Sequence, residues 1–454
     1  MIQKQLHSLS LLVIAVVACC LLILQPYPVL HDYPEWMYQG FLVGELLVGN
    51  NASVNESFAL VSYPVPNAIS QLAMGLLNLS FPPVLAGQIW LAVYFVFATL
   101  LWRCITRSDG FPQGGAINLI LTLTITLGSG FWNGYINFQF GVLFFSLYLY
   151  LSNGTQRFPV VQVFVFSLLI FLSHAAVYAA LVVLVCVQRY RSAERWRYLT
   201  AMLPSLLLLA WYTLIKLASG VAVSEQMTLV KWIQYKTYTV AKQGPFHNFI
   251  LPNGESLLTH FDWLYVIGFG MNFLIVLLLL CWASTIVWHF TRSRGWRDYI
   301  GRGESPVPIL VTVGFLMSGF LVAGQNSFGV VNLGERFLVV AIVLLLVFFQ
   351  CPKLLRRIWT ILAAVSAVYL MVATVLLIGY AEESYSVARS ANEKDLEKYV
   401  DDIYASSRHK YFNHRLFIYS DRGGELVKLQ PGLLPIDLAT SIVVPRLPVD
   451  NGSN

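Results

Sequence analysis

Charge is what this chain lacks first. Asp, Glu, Lys and Arg together make up 11% of its 454 residues, against 57% hydrophobic residues, and mean hydropathy is +0.66. Soluble domains carry about 25% charged residues, so a soluble globular fold is excluded. Cysteine is sparse as well. Cys19, Cys20, Cys104, Cys186, Cys281 and Cys351 show neither metal-ligand spacing nor a disulfide framework, which leaves them as small apolar residues. Internal repeats and low-complexity stretches are absent too, which removes solenoids and biased tails.

One local absence matters most. Between Pro26 and Pro83 no Lys or Arg occurs, yet the segment holds Asp32, Glu35, Glu45 and Glu56. Elsewhere basic residues gather in short clusters: Arg103 and Arg107; Arg189, Arg191, Arg195 and Arg197; Arg292, Arg294, Arg297 and Arg302; Lys353, Arg356 and Arg357. The positive-inside rule makes these clusters cytoplasmic. Nucleic-acid binding would need such charge on one folded face among stacking aromatics. Here it is scattered between apolar runs, so no nucleic-acid partner is expected.

Apolar runs long enough to cross a hydrocarbon core recur along the chain, which predicts an all-α polytopic membrane protein. The first run, Leu9 to Leu24, lacks a convincing cleavage site and reads as an anchor, not a signal peptide. With the N-terminus cytoplasmic, the early spans are Ser8 to Leu24, Val84 to Leu101, Ala116 to Leu127 and Phe138 to Leu151. Two short spans within 159–188 then meet at an outer His174. Tyr198 to Leu217, Trp263 to His289, Val307 to Val322, Phe337 to Gln350 and Leu354 to Tyr380 complete the bundle, for about eleven crossings. A helix near Asn67 to Leu79 is laid along the interface, since a span there would place Arg103 outside. Residues 1–380 form the transmembrane domain. The tail, 381–454, is external and reads as a small α/β cap, with a helix over Lys394 to Tyr404 and a strand over Leu416 to Ser420.

The stretch His31-Asp32-Tyr33-Pro34-Glu35-Trp36 stands where the chain leaves the first span. Carboxylates one helical turn apart suit acid/base chemistry or a cation site, and Pro34 suits a first helical position. The plainer reading makes Asp32 a helix cap and Glu35 a partner of the helix dipole. On this threading the remaining unusual polar residues share the outer side: Asn133, Asn137, His174, Lys231, Lys236, Lys242, His247, His260, Glu335 and Arg336. Arg336, beside an apolar span, suits phosphate binding or a salt bridge with Glu335. Lys231 and Lys236, among Trp232, Tyr235 and Tyr238, suit a lipid-phosphate entrance or an ordinary interfacial helix. His174 is either a donor to a pyrophosphate or sugar, or a packing residue.

On these residues the chain resembles the GT-C superfamily, polytopic glycosyltransferases that take sugars from polyprenyl-phosphate lipids. The layout is similar to that of protein O-mannosyltransferases and aminoarabinose transferases. Asp32 in HDYPEW matches the family's first-loop acid, and GSGFWNGYINFQFG occupies the second outer loop. SHAAVY sits at the polar break between short spans, and GERF supplies the outer Arg before a late span. The likeness covers about residues 1–380 in layout. It implies a GT-C-like bundle and an inverting transfer, with Asp32 as general base and Glu35 as its companion. His31, Tyr33, Asn133, Asn137, His174, Lys231, Lys236 and Arg336 would then bind substrate. The implied partners are a polyprenyl-phosphate-linked sugar, membrane lipids, and a glycan, lipid or protein acceptor at the outer face of a bacterial inner membrane.

One departure stands out. Many members place a second acid in the second outer loop, where this chain has only Asn133 and Asn137. Either Glu35 substitutes or a metal-bridging site has been lost, and a divalent metal is the one cofactor in question. Two rivals remain. A transporter or flippase would show midspan charges and repeated halves, which the late spans lack, and a non-catalytic assembly factor would make the acids incidental.

Overall fold

An apolar stretch in lipid has no water to satisfy its backbone and must close its hydrogen bonds internally, which only helices and closed barrels achieve. The structure, a computed structural model, describes residues 2–24, 28, 30, 32–107, 119, 122–154, 159–190, 192–218, 227–241, 243, 263–292, 307–327, 330–349, 353–390, 419–422, 425–428 and 441–446. Among them are fifteen α-helices and three short two-stranded sheets.

In chain order the first helices are α1 (Ile2–Leu22), α2 (Tyr33–Val48), α3 (Ala52–Ser57), α4 (Ile69–Asn78) and α5 (Pro83–Arg107). After α5 come a π-helical turn, Thr122–Thr126, then α6 (Ser129–Trp132) and α7 (Ile136–Gly154). The middle holds α8 (Pro159–Ser173), α9 (Ala175–Arg189), α10 (Arg195–Ala218) and α11 (Leu229–Ala241). The last are α12 (Trp263–Arg292), α13 (Val307–Val322), α14 (Leu333–Phe348) and α15 (Lys353–Ser390). Four of these contain stretches long and apolar enough to cross a membrane: Pro83–Ile105, Arg195–Ala218, Gly270–Trp288 and Arg357–Leu376. Shorter apolar helices lie at Ser8–Leu22, Ile136–Ser152, Pro159–Ser173, Ala175–Arg189 and Val307–Val322.

The expected break at His174 is present, with helices of 15 residues on either side. The expected third span, Ala116 to Leu127, lies partly outside the described residues, and most of its described part is the π-helical turn. That turn is anchored by two aromatic donors on α5. The Tyr94 hydroxyl donates to Thr126 O at 2.6 Å, and Trp102 Nε1 donates to Thr126 Oγ1 at 2.6 Å.

The helix after Pro34 differs from its expected amphipathic form. From Tyr33 to Gly44 every residue of α2 is buried, because α4 and α5 both pack against it. The approach to α4 is close enough to need glycine. A Cβ on Gly40 would lie 2.6 Å from Met74 Cβ, and one on Gly75 would lie 2.9 Å from Val43 Cβ. At 10 residues, α4 spans about 15 Å, half of a hydrocarbon core, as expected for a helix that does not cross. Its outward residues Leu72, Leu76 and Leu79 are apolar, while Ser70 and Gln71 are fully buried. This inversion suits an element whose outside is lipid.

Strand β1 (Phe58–Leu60) follows α3, and β2 (Asn326–Ser327) pairs with β3 (Val330–Val331) just ahead of α14. In the tail, β4 (Tyr419–Arg422) pairs with β5 (Glu425–Lys428). It meets the strand expected at Leu416 to Ser420 at Tyr419 and Ser420, and the rest of that expectation lies outside the described residues. The helix expected over Lys394 to Tyr404 lies outside the described residues. Strand β6 (Val443–Pro445) returns to pair antiparallel with β1, in the register Phe58↔Pro445, Ala59↔Val444 and Leu60↔Val443.

Gly75→Ala tests the α2–α4 crossing. Overpacking costs about 1–3 kcal/mol, so its thermal midpoint should fall. At Gly314, where an added Cβ meets nothing within 4 Å, Gly314→Ala should be neutral or gain about 0.5–1 kcal/mol. Thermal unfolding of the two purified variants makes the comparison.

Candidate functional site

Asp32 occupies the N-cap position of α2, but its side chain makes no capping hydrogen bond and its backbone is helical (φ −96°, ψ −3°). The plain capping role is therefore not the one it performs. Its backbone N–H instead donates to Asn133 O at 3.0 Å, tying α2 to the turn between α6 and α7. Trp36 reinforces the tie, with Nε1 donating to Gly134 O at 3.0 Å. Gly134 sits in the left-handed region, and a Cβ there would lie 2.6 Å from the backbone nitrogens of Asp32 and Tyr33. Only glycine suits both the conformation and the approach.

The next residue, Tyr135, is the hub. The Arg336 guanidinium lies over its ring at 4.5 Å, a cation–π contact strengthened by burial. Burial raises the Tyr135 hydroxyl pKa, with the Asp32 carboxylate adding to the rise and Arg336 opposing it. Asp32, Tyr135 and Arg336 are thus within electrostatic reach of one another. On the far side of Arg336, its Nη1 lies 2.8 Å from His174 Nε2.

His174 is the N-cap of α9, and its Nδ1 accepts from the Ala176 N–H at 3.1 Å. A ring that accepts at Nδ1 carries its remaining proton on Nε2. The Arg336 guanidinium only donates, so its contact with Nε2 and the Ala176 N–H contact with Nδ1 ask opposite tautomers of the same ring. The Arg336 Nε has no hydrogen-bond partner among the described residues, although the residue is only 8% exposed. Glu335 anchors the head of α14, its Oε1 accepting from Ser129 Oγ at 2.8 Å.

The placement follows a rule. Asp32, Tyr135, His174 and Arg336 stand at or beside the N-termini of α2, α7, α9 and α14. Unsatisfied N–H groups and the helix dipole make such ends favourable to anions. The nearby lysine obeys the converse. Lys236, buried on α11, donates through Nζ to Phe320 O and Ala323 O at the C-terminal end of α13. It also lies near the Trp232, Tyr235 and Phe320 rings. Desolvation lowers its pKa to about 8.

The other expected site residues divide. Glu35 is buried one turn along α2, with Oε1 accepting from Gln39 Nε2 at 3.1 Å. Tyr33 is turned to α5, its hydroxyl donating to Gly87 O at 2.6 Å. Asn133 contributes its backbone carbonyl. Asn137 Oδ1 accepts from the Ser70 N–H at 2.7 Å, satisfying a free donor at the start of α4. Lys231 is exposed on α11. His31, Lys242, His247 and His260 lie outside the described residues. Among the described residues no group of three or more His, Cys, Asp or Glu is placed to hold a metal ion. Sequence reading missed Tyr135 and Gly134, whose signal was an aromatic and a glycine between the two asparagines of the second outer loop.

Gly134→Ala should cost about 1–2 kcal/mol through the left-handed backbone alone and push on Asp32 besides. Amide hydrogen exchange over 32–36 should quicken while 338–348 stays as in wild type.

The chain matches no family model, no curated protein and no solved structure, so the function rests on the site's geometry and on the sequence.

Proposed function

We propose that this chain is a membrane glycosyltransferase that moves a sugar from a polyprenyl-phosphate lipid to an acceptor at the outer face of the membrane. The observation that supports it is the gathering of a buried carboxylate, Asp32, and the Arg336–His174 pair around Tyr135.

In this reading the lipid phosphate sits where Arg336 and His174 both point. A guanidinium offers paired N–H donors matched to phosphate oxygens, and four helix N-termini supply further positive potential. Asp32 takes the proton from the acceptor hydroxyl or amine as that atom bonds to the anomeric carbon. The carbon–oxygen bond to phosphate breaks, and its electron pair leaves on the phosphate, whose growing charge the two donors neutralise. Attack opposite the leaving group inverts the anomeric centre. Tyr135 holds Arg336 by its ring. Glu35, bridged to Gln39 along the same helix, stands one turn from Asp32 as its companion, and no step needs a metal. Lys236 holds α11 to the end of α13, beside the head of α14. The sugar donor sits at the outer side of a bacterial inner membrane, with the N-terminus in the cytoplasm.

Asp32→Asn is the test. Asn keeps the size but cannot take the proton, so transfer from a polyprenyl-phosphate sugar should fall about 10²–10⁴-fold. Thermal stability should hardly change, because the side chain makes no capping bond. A fully active Asp32→Asn enzyme would overturn the reading. Wild-type protein that moves the lipid across vesicles without transferring sugar would favour a flippase.

A further inference from the structure

Strand β6 is too short to hold itself. A three-residue antiparallel pair is not independently stable, yet Ser441 and Val443 are essentially fully buried and Ile442 is 8% exposed. The remaining bonds explain the docking. Val61 N–H donates to Ile442 O at 2.9 Å, and Arg446 N–H donates to Ser57 O at 2.8 Å. Arg446 Nε donates to Phe58 O at 3.0 Å. The Ile442 N–H leaves the strand ladder altogether and donates to Gln71 Oε1 on α4 at 2.8 Å.

Gln71 is fully buried, and its Nε2 donates to Asn67 O at 3.3 Å. It is therefore held from both sides, by the tail and by the backbone just before α4. Its neighbour Ser70 donates its N–H to Asn137 Oδ1. Asn137 lies two residues after Tyr135 and three after Gly134, the residues that touch Arg336 and Asp32. The first turn of α4 thus has the C-terminal strand on one side and the site's central turn on the other.

We infer that residues 441–446 act as a clamp on the candidate site, positioning the 133–137 turn through Gln71 and Ser70. This goes beyond the transfer reading, since it holds whatever chemistry the cluster performs. Gln71 is a positioning residue here and touches no reacting group. A merely structural strand would instead stabilise α3, β1 and α4 and leave the turn unaffected.

Hydrogen exchange of the full-length chain in detergent separates the two. Gln71→Leu removes the acceptor, and Ile442→Pro removes the donor from the other side. Each should speed exchange at amides 69–72 and at 133–136, by about five- to tenfold for the loss of one buried hydrogen bond. Amides 338–348 on α14 report global unfolding and should keep their wild-type rates. Gln71→Glu keeps an acceptor for the Ile442 N–H and should leave 133–136 near wild type. Opening confined to 69–72 in both loss variants, with 133–136 unchanged, would overturn the clamp. Because no ligand enters the measurement, its failure is distinct from any failure of sugar transfer.

Discussion

A guanidinium buried beside an apolar helix costs several kcal/mol unless it is answered, and the starts of several helices in this protein are arranged around Arg336. Its plane rests on the Tyr135 ring, its edge meets His174, and the Asp32 carboxylate lies within reach of the same tyrosine. None of these is a sequence neighbour. Each reaches the charge from the start of a different helix, so the packing of α2, α7, α9 and α14 is also the assembly of the site.

Two different uses of glycine make that assembly tight. Gly40 and Gly75 are helical, and they lack side chains because α2 and α4 approach too closely for Cβ atoms. Gly134 is needed for its conformation as well, since its backbone turns left-handed directly against the start of α2. The first pair sets where α2 lies. The single glycine sets how its N-terminus meets the Tyr135 turn. An error at either place would displace Asp32 without touching it.

Hydropathy and charge placement made the bundle legible. The spans expected at Tyr198 to Leu217, Trp263 to His289 and Val307 to Val322 coincide with α10, α12 and α13, because long apolar runs have one solution in lipid. The break at His174 was equally readable, since the mostly apolar stretch between Arg157 and Arg189 requires two helices if both arginines are cytoplasmic. Asp32, His174 and Arg336 stood out as polar groups in apolar surroundings. Tyr135 did not, because an aromatic among aromatics carries no local signal of a cation above its ring. The bond from Asn137 to the Ser70 N–H was not readable either, for a related reason. A buried amide looks the same in sequence whether it meets a ligand or the backbone of another helix. The β1–β6 pairing joins segments more than 380 positions apart, and no periodicity in either strand names its partner.

The polarity of the helix ends ties these features together. Anion-favouring N-termini converge where Arg336 and His174 point, and the nearest buried lysine is stationed at a C-terminus instead. Lys236 donates to carbonyls that α13 cannot satisfy within itself, which fixes α11 beside the head of α14 while keeping its charge off the site. A lysine aimed at Asp32 would pair with its carboxylate, the group proposed above as the base. An arginine held on a tyrosine ring offers its N–H edge outward while its face is occupied. The two cations are thus kept apart, one bonded to a helix end and one with an Nε that has no partner among the described residues.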